Sequence, residues 1–252
     1  MKRPQRLAAI MEHIGREGTV AVTALSHGLG VSESSVRRDL NLLEAQRWIS
    51  RTHGGAVARG TAVRLQMSPP DLDLTERQNR MAEIAAKRVP DGSTVGLVSG
   101  ETIGGIGRVL ADRSDLTIVT NAVDIAHQLL VRPHLRVVLT GGVADPETSA
   151  LGGAFAESML RQVNLAIAFV EVDGVHPRSG ITVEESERAR LTESFVAHAE
   201  QVVAVVPGTR VGRSCFVRVC ALSAIDELVT DDDADEAALA AIAEAGVAVT
   251  IA

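Results

Sequence analysis

The chain has 252 residues, of which 46% are hydrophobic, and this is enough to bury a core in each of two domains. No stretch of about 18 apolar residues is free of charge and the first residues do not lead into a signal-peptide core, so we expect a cytoplasmic protein with no membrane partner. The net charge of −7 divides into +4 for residues 1–60 and −11 for the rest, which predicts a basic DNA-binding module on an acidic body that does not bind DNA.

The first sixty residues contain the spacing of a three-helix core. Leu7, Ile10, Met11 and Ile14 recur on one stripe of a first helix. A second helix is expected at about Thr23 to Leu29. These two helices would support a third, as in helix-turn-helix domains.

The third helix has the pattern of a recognition helix. Ser32 is a favoured N-cap, and Val36, Leu40 and Leu43 then mark one apolar face. Short hydroxyls and guanidinium groups on the opposite side can meet base edges and phosphates together. The polar side chains expected to contact DNA are Ser32, Ser34, Ser35, Arg37, Arg38 and Asn41.

A short hairpin follows the recognition helix. Residues 48–51 and 56–58 flank a turn of the sequence THGG, which predicts a wing. Arg51, His53 and Gly54 would lie beside the sugar-phosphate backbone and position the domain without reading sequence. Two arginines on a helix can also be a plain solvated face, but the serine cap, the arginine pair and the glycine hairpin occur together in register.

The hairpin ends the predicted DNA-binding domain, residues 1–57, and residues 58–75 are expected to be a linker. They lack periodicity and contain Pro69-Pro70, which forbids a continuous helix. Cys215 and Cys220 are spaced C-x4-C without a second pair, which favours buried or free thiols over a disulfide or metal clip. The histidines are scattered, so we expect no metal site and no cofactor.

Residues 76–252 alternate between helical and strand patterns, which predicts an α/β domain with a mainly parallel sheet covered by helices on both faces. Strands are expected near 94–98, 116–120, 136–139, 165–170, 201–206, 227–230 and 247–251. Ligands of such sheets bind beyond the carboxyl ends of the strands.

The residues at those ends are small and polar. Ser99, Gly100 and Thr102 open a helix and look like a phosphate cradle, although a glycine-rich turn that binds nothing has the same pattern. Asn121 could serve only as a helix N-cap, and Gly141-Gly142 only as turn formers.

Two resemblances cover nearly the whole chain. VSESSVRRDLNLLEAQRWISRTHGGA resembles the winged helix-turn-helix signature of the DeoR family of bacterial repressors, with Ser35 in place of threonine and Gln46-Arg47 where a glycine is usual. The later order SGxT, TN, TGG, xDG, GIT and VTDD resembles the effector domain of the same family. That domain is similar in fold to ribose-phosphate isomerase and glucosamine-phosphate deaminase.

The resemblance implies a repressor that a phosphorylated sugar releases from its operator. It would place Ser99, Gly100 and Thr102 at the phosphate. Asp173 would face the sugar hydroxyls, and Arg210 stands where the family usually has a lysine. The implied pocket is completed by Asn121, Gly141 and Gly142.

Three departures from the family pattern affect this pocket. Pro207 stands where an aspartate is common, Thr192 where a lysine is usual, and Glu171 where a glycine is common. An added carboxylate and a lost ammonium make the pocket less hospitable to a dianion.

The favoured function is a DNA-binding repressor of sugar or carbohydrate metabolism genes. The alternative is a sugar-phosphate isomerase with a fused DNA-binding domain, but Lys2 and Lys87 are the only lysines available as a cation for the oxyanion. A third possibility is a body that binds another ligand or only assembles protomers. Because one winged helix covers little DNA, we expect a homo-oligomer, a dimer or tetramer, on repeated half-sites.

Overall fold

The computed structural model describes residues 3–45, 49–52, 54–58 and 76–252. They form two compact units, one from the described residues up to 58 with residues 146–149 and the other from residues 76–145 and 150–252. Of the predicted linker only Ala58 is described, and it ends a strand. Among these residues, no helix combines the length and the apolar character needed to cross a bilayer.

The N-terminal unit is three helices with a small antiparallel sheet. Its elements are α1 (Arg3–Glu17), β1 (Thr19–Ala21), α2 (Val22–Leu29), α3 (Glu33–Ala45), β2 (Ile49–Thr52) and β3 (Gly55–Ala58). The sheet order is β1-β3-β2, so the predicted wing hairpin is confirmed and gains a third strand.

The predicted apolar stripes meet in one core. Ile10 and Ile14 of α1 are fully buried against Val36 and Leu40 of α3, with Ile49 of β2 beneath them. The spacing of these residues along their helices therefore predicts which faces are buried.

A glycine allows β3 to approach β1. A Cβ on Gly55 would lie 2.0 Å from the carbonyl oxygen of Val20, so only glycine fits there. Gly54, at φ +102°, makes the turn between β2 and β3. The two glycines thus have different roles, one in the turn and one in strand packing.

The C-terminal unit alternates strands and helices. In chain order it contains α4 (Glu76–Ala86), β4 (Thr94–Leu97), α5 (Glu101–Leu110), β5 (Thr117–Thr120), α6 (Val123–Leu129), β6 (Arg136–Leu139), β7 (Val143–Ala144), β8 (Leu151–Gly152), α7 (Ala154–Leu160), β9 (Leu165–Val170), β10 (Gly174–His176), β11 (Gly180–Val183), α8 (Ser186–Ala197), β12 (Ala199–Val205), β13 (Val217–Cys220), β14 (Glu227–Thr230), α9 (Glu236–Glu244) and β15 (Ala248–Ile251). A 3-10 turn at Gly208–Arg210 follows β12 and another at Leu222–Ala224 follows β13.

The main sheet has seven strands in the order β15-β14-β12-β9-β4-β5-β6. All neighbouring pairs are parallel, which confirms the predicted sheet. Successive residues of β9 enter opposite layers of the core, Ile167 and Phe169 on one face, Ala168 and Val170 on the other. Both faces of the sheet are therefore buried.

Two small antiparallel elements were not expected from the sequence. Strands β10, β11 and β13 form a three-stranded sheet, and β7 pairs with β8. Their strands have two to four residues, too few for a clear alternating pattern. Cys220 ends β13, and both it and Cys215 are free, half-buried thiols.

The strand order reverses between β4 and β9. From β4 the chain moves to β5 and β6 on one side, whereas β9 leads to β12, β14 and β15 on the other. The loops that leave β4 and β9 consequently diverge, and in open α/β sheets a ligand binds in the crevice between such loops. Residues after Leu97 and after Val170 are thus placed at this switch point.

Candidate DNA-binding surface and effector site

Three serines stand together at the start of α3. The carbonyl of Ser32 accepts the N–H of Val36 at 3.1 Å, which begins the helix where the sequence predicts. The Ser32 hydroxyl lies 3.0 Å from the hydroxyls of both Ser34 and Ser35. The N-terminus of the helix therefore presents a cluster of small hydrogen-bonding groups to solvent.

Arg37 and Arg38 are exposed, and their side chains contact residues of the preceding helical turn. Arg37 pairs with Glu33 at 3.2 Å, one turn earlier. The Arg38 Nε donates to the carbonyl of Ser34 at 3.2 Å. Such surface contacts contribute little to stability, so both guanidinium groups can exchange them for DNA at small cost.

Arg51 joins the wing to α3. Its Nη1 donates to Oδ1 of Asn41 at 3.0 Å, and its backbone N–H donates to Oε1 of Glu44 at 3.1 Å. Arg51 and Asn41 thus contact each other, whereas the sequence suggested separate contacts with DNA. Gly54 is exposed at the wing turn, and His53 lies outside the described residues.

Sequence reasoning missed Asp39, which joins the core-facing side of α3 to α1. The residue is 1% exposed and accepts Nε of Arg6 at 2.6 Å and Nε of Arg3 at 3.1 Å. The Asp39 carboxylate raises the pKa of Arg6. Asp39 lies three residues after Val36, on the core face, and an acid at such a position signals a buried ion pair.

The structure brings the predicted effector residues to one edge of the sheet. They follow the carboxyl ends of β4 (Ser99, Gly100, Thr102), β5 (Asn121), β6 (Gly141, Gly142), β9 (Asp173) and β12 (Arg210). Their surroundings differ from the sequence expectation at several positions.

Glu171 occupies the N-terminus of α5, where the sequence suggests a phosphate. Its Oε2 accepts the backbone N–H of Thr102 at 2.9 Å, and its Oε1 lies 3.3 Å from Nη1 of Arg210. Glu171 is 5% exposed. A helix N-terminus favours negative charge, and here a carboxylate of the chain supplies it.

Burial and neighbours act on Glu171 in opposite directions. Burial raises the pKa of this carboxyl above its ordinary value and outweighs the other effects. The Thr102 N–H and the guanidinium groups of Arg210 and Arg188 lower the pKa, while Glu101 raises it further. The hydrogen bond from Thr102 and the two guanidinium groups therefore offset only part of the cost of burying a charge on Glu171.

Thr102 and Gly100 both lie against Glu171 at the start of α5. The Thr102 hydroxyl is fully buried and has no hydrogen-bond partner in the part of the chain that the structure describes. A Cβ on Gly100 would lie 2.8 Å from Oε2 of Glu171 and 2.9 Å from its Cβ. The absent side chain of Gly100 therefore makes room for Glu171.

The side chain of Asn121 connects two loops through hydrogen bonds. It is 1% exposed, its Oδ1 accepts the N–H of Ser99 at 2.9 Å, and its Nδ2 donates to the carbonyl of Leu151 at 3.2 Å. The N-cap position of α6 belongs to Ala122, so the N-cap interpretation of Asn121 is wrong. The asparagine instead fixes the loop that carries Ser99.

Gly141 and Gly142 form an exposed turn at positive φ, +69° and +114°. A Cβ on Gly142 would lie 2.3 Å from the carbonyl oxygen of Gly152, so the turn needs glycine to close onto β8. Their geometry is that of turn formers beside the site.

Arg188, which sequence reasoning missed, holds Asp173. Its Nη1 lies 2.8 Å from both carboxylate oxygens of Asp173, and its Nη2 donates to the carbonyl of Glu171 at 2.9 Å. Arg188 is one helical turn before Thr192, on the same face of α8. The signal available in the sequence was that Arg188 lies one helical turn before Thr192, the position where the family usually has a lysine.

A buried aspartate positions the loop that carries Arg210. Oδ1 of Asp231 accepts the N–H of Gly208 at 3.0 Å, and a Cβ on Gly208 would lie 2.6 Å from the same atom. The end of β14 thus fixes the 3-10 turn that delivers Arg210 to Glu171.

Two family profiles match the chain. "DeoR-like helix-turn-helix domain" matches residues 6–61, and "DeoR C terminal sensor domain" matches residues 74–232. Together they cover most of each unit of the fold, and α9 and β15 lie beyond the second match.

Characterised relatives resemble the chain over most of its length. The glycerol-3-phosphate regulon repressor of Escherichia coli is 28% identical, with 92% of each chain covered. The HTH-type transcriptional regulator GlpR of Haloferax volcanii is 31% identical, with 97% of this chain and 96% of that protein covered.

Among solved structures, ribose 5-phosphate isomerase A from Methanocaldococcus jannaschii matches 54% of this chain at 16% identity and a TM-score of 0.39. The match spans 53% of that isomerase chain, about half of its length.

Proposed function

Since this chain belongs to the DeoR family of transcriptional regulators, we propose that it represses carbohydrate-metabolism genes and leaves its operator when a phosphorylated sugar binds the C-terminal unit. The observation that carries this proposal is the α5 N-terminus at the strand-order switch, where the Thr102 N–H and Arg210 already contact the two carboxyl oxygens of Glu171. A backbone N–H at a helix N-terminus and a guanidinium group are also the donors that bind a phosphate.

Operator recognition is assigned to α3 and the wing. The serine hydroxyls at the start of α3, together with Arg37 and Arg38, would contact base edges and phosphates in the major groove. Arg51 would hold the wing at a fixed angle to α3 through Asn41. The buried Asp39 on the core-facing side of α3 holds this helix against α1 through its contact with Arg6.

A homo-oligomer completes the proposal. One winged helix covers too little DNA for tight specific binding, so protomers would pair through the C-terminal unit and bind repeated half-sites spaced by whole helical turns. Such a regulator acts on the chromosome, and we place it in the cytoplasm. Light scattering at micromolar concentration, with the stoichiometry on DNA carrying one or two half-sites, tests this part.

No catalytic residue is assigned. Isomerisation needs a free base and usually a cation for the developing oxyanion. At this site Asp173 is bound by Arg188, and Glu171 is bound by Thr102 and Arg210. The named relatives are transcriptional regulators. The proposed role of the pocket is sensing.

The test separates DNA binding from effector response. DNA selected from a random pool by the full-length chain serves as the operator, and release is followed by fluorescence anisotropy with sugar phosphates and the matching unphosphorylated sugars. We expect release by a phosphorylated sugar only. Gly100→Asp, once thermal unfolding shows that it is folded despite the close contact with Glu171, should keep operator binding and lose the response, because it adds a second carboxylate beside Glu171. Equal release by phosphorylated and unphosphorylated sugars would contradict the proposal.

A further inference from the structure

We propose that Glu171 is a tethered competitor of the effector phosphate: its carboxylate fills the anion site at the N-terminus of α5 in the free protein, and a ligand binds there only by displacing it. This inference rests on the proposed function and adds a residue that sets affinity and ligand class.

The geometry places Glu171 in the position of a bound anion. One carboxylate oxygen accepts the Thr102 N–H at 2.9 Å and the other faces Arg210 at 3.3 Å, so both of these donors are engaged by Glu171. Gly100 leaves no spare volume, because even a single added carbon would lie 2.8 Å from Oε2. A phosphate and Glu171 cannot occupy this place together.

The charges around the site also oppose joint occupation. The acids that face the site are Glu101, Glu171 and Asp173, and the cations are Arg188 and Arg210. Asp173 already uses Arg188 through two contacts of 2.8 Å. The three acids already outnumber the two cations, so a dianion added beside an ionised Glu171 would be repelled, and moving the carboxylate away reduces this repulsion.

Displacement makes binding selective between anions. An incoming carboxylate offers Thr102 and Arg210 the same chemistry that Glu171 already gives them, and the tethered group has the advantage of a high effective concentration. A phosphate offers more charge and three acceptor oxygens. The site is therefore expected to exclude sugar acids and to accept sugar phosphates.

Displacement also lowers the apparent affinity. The apparent dissociation constant equals the intrinsic constant divided by the fraction of time that the site is open. If Glu171 leaves the site for about a tenth of the time or less, removing its side chain should tighten phosphate binding roughly tenfold or more.

Calorimetry on the full-length chain tests this with three probes: inorganic phosphate, glycerol 3-phosphate and glycerate, which has a carboxylate in place of the phosphate ester. Glu171→Gly should bind both phosphate probes roughly tenfold tighter than the wild type, and should also bind glycerate, which the wild type excludes. Glu171→Gln, close in shape but uncharged, should change affinities in the same direction. Glu244→Gln, an exposed acid at the end of α9, is the control and should behave as wild type.

Thermal unfolding shows whether each variant is folded. If Glu171→Gly does not fold, Glu171→Gln alone provides the test. Wild-type affinities in both variants, with sugar phosphates still releasing the wild type from DNA, would overturn the inference and leave the proposed function standing. If no variant binds any phosphate and no sugar phosphate releases DNA, both are overturned.

Discussion

Gly100 and Glu171 are packed so closely that a methyl group on Gly100 would lie 2.8 Å from a carboxylate oxygen of Glu171. We therefore expect Gly100→Ala to destabilise the C-terminal unit by about 1 to 3 kcal/mol through overpacking. In a Glu171→Gly background the same change should be much less harmful, because the clashing group is gone. Urea denaturation of the four proteins in this double-mutant cycle measures the coupling.

Gly104 provides the matched control in the same helix. A Cβ there would lie 4.0 Å from the nearest side chain, Cγ1 of Ile125, so alanine fits without a clash. Gly104→Ala should stabilise the unit by up to about 1 kcal/mol through helix propensity. Equal losses for Gly100→Ala with and without Glu171 would contradict the packing argument.

The arginine pair of α3 makes a second prediction. Replacing Arg37 or Arg38 by alanine should weaken operator binding by about 1 to 3 kcal/mol if the side chain reads a base, and should reduce the salt slope by about one if it holds a phosphate. Fluorescence anisotropy over a range of salt concentrations separates the two cases. Arg190→Ala, which removes an exposed arginine of α8, is the control and should bind DNA as wild type. Unchanged affinity in the Arg37/Arg38 double variant would exclude α3 as the recognition helix.

A third prediction concerns the stability contributed by Asp39. Asp39→Ala should destabilise the N-terminal unit by about 1.5 to 3 kcal/mol, because two charge-assisted hydrogen bonds to Arg6 and Arg3 are lost from a buried position. Arg6→Ala should be more harmful than Arg3→Ala, since the Arg6 side chain is 16% exposed and that of Arg3 is 55% exposed. Circular dichroism at 222 nm during thermal unfolding, with operator affinity as a second readout, follows the effect. Equal losses for both arginine variants would show that burial does not rank them.

Glu227 gives a prediction of pH dependence. Its contact with Arg88, at 2.7 Å, lowers the pKa of this carboxyl below the ordinary 4.5. The stability that the pair contributes is therefore present above about pH 4.5 and is lost as the pH falls through the pKa of the folded protein. Glu227→Gln should be less stable than wild type at pH 7, and the two should converge toward pH 3. A constant difference over this range would exclude linkage to Glu227.

The sequence by itself determined the helices of the N-terminal unit, the strands of the main sheet and the faces that they bury. Helix and strand patterns are local, so Val36 and Leu40 indicate the core side of α3, and the apolar run Leu165–Val170 indicates a central strand. The seven strands of the main sheet lie within two residues of their predicted bounds. The sequence also predicts which loops form the candidate site, because the carboxyl ends of parallel strands lie at one edge of the sheet.

Only the tertiary structure decided which groups meet at that edge. Thr102 and Glu171 are 69 positions apart, and they meet because β9 pairs with β4 in the register that places Phe169 beside Leu97. Strand order depends on packing across the whole sheet, and a strand that is buried on both faces, as β9 is, lacks the polar–apolar alternation that would fix its register. The sequence marks Glu171 as an added carboxylate, but its position at the N-terminus of α5 is a property of the fold.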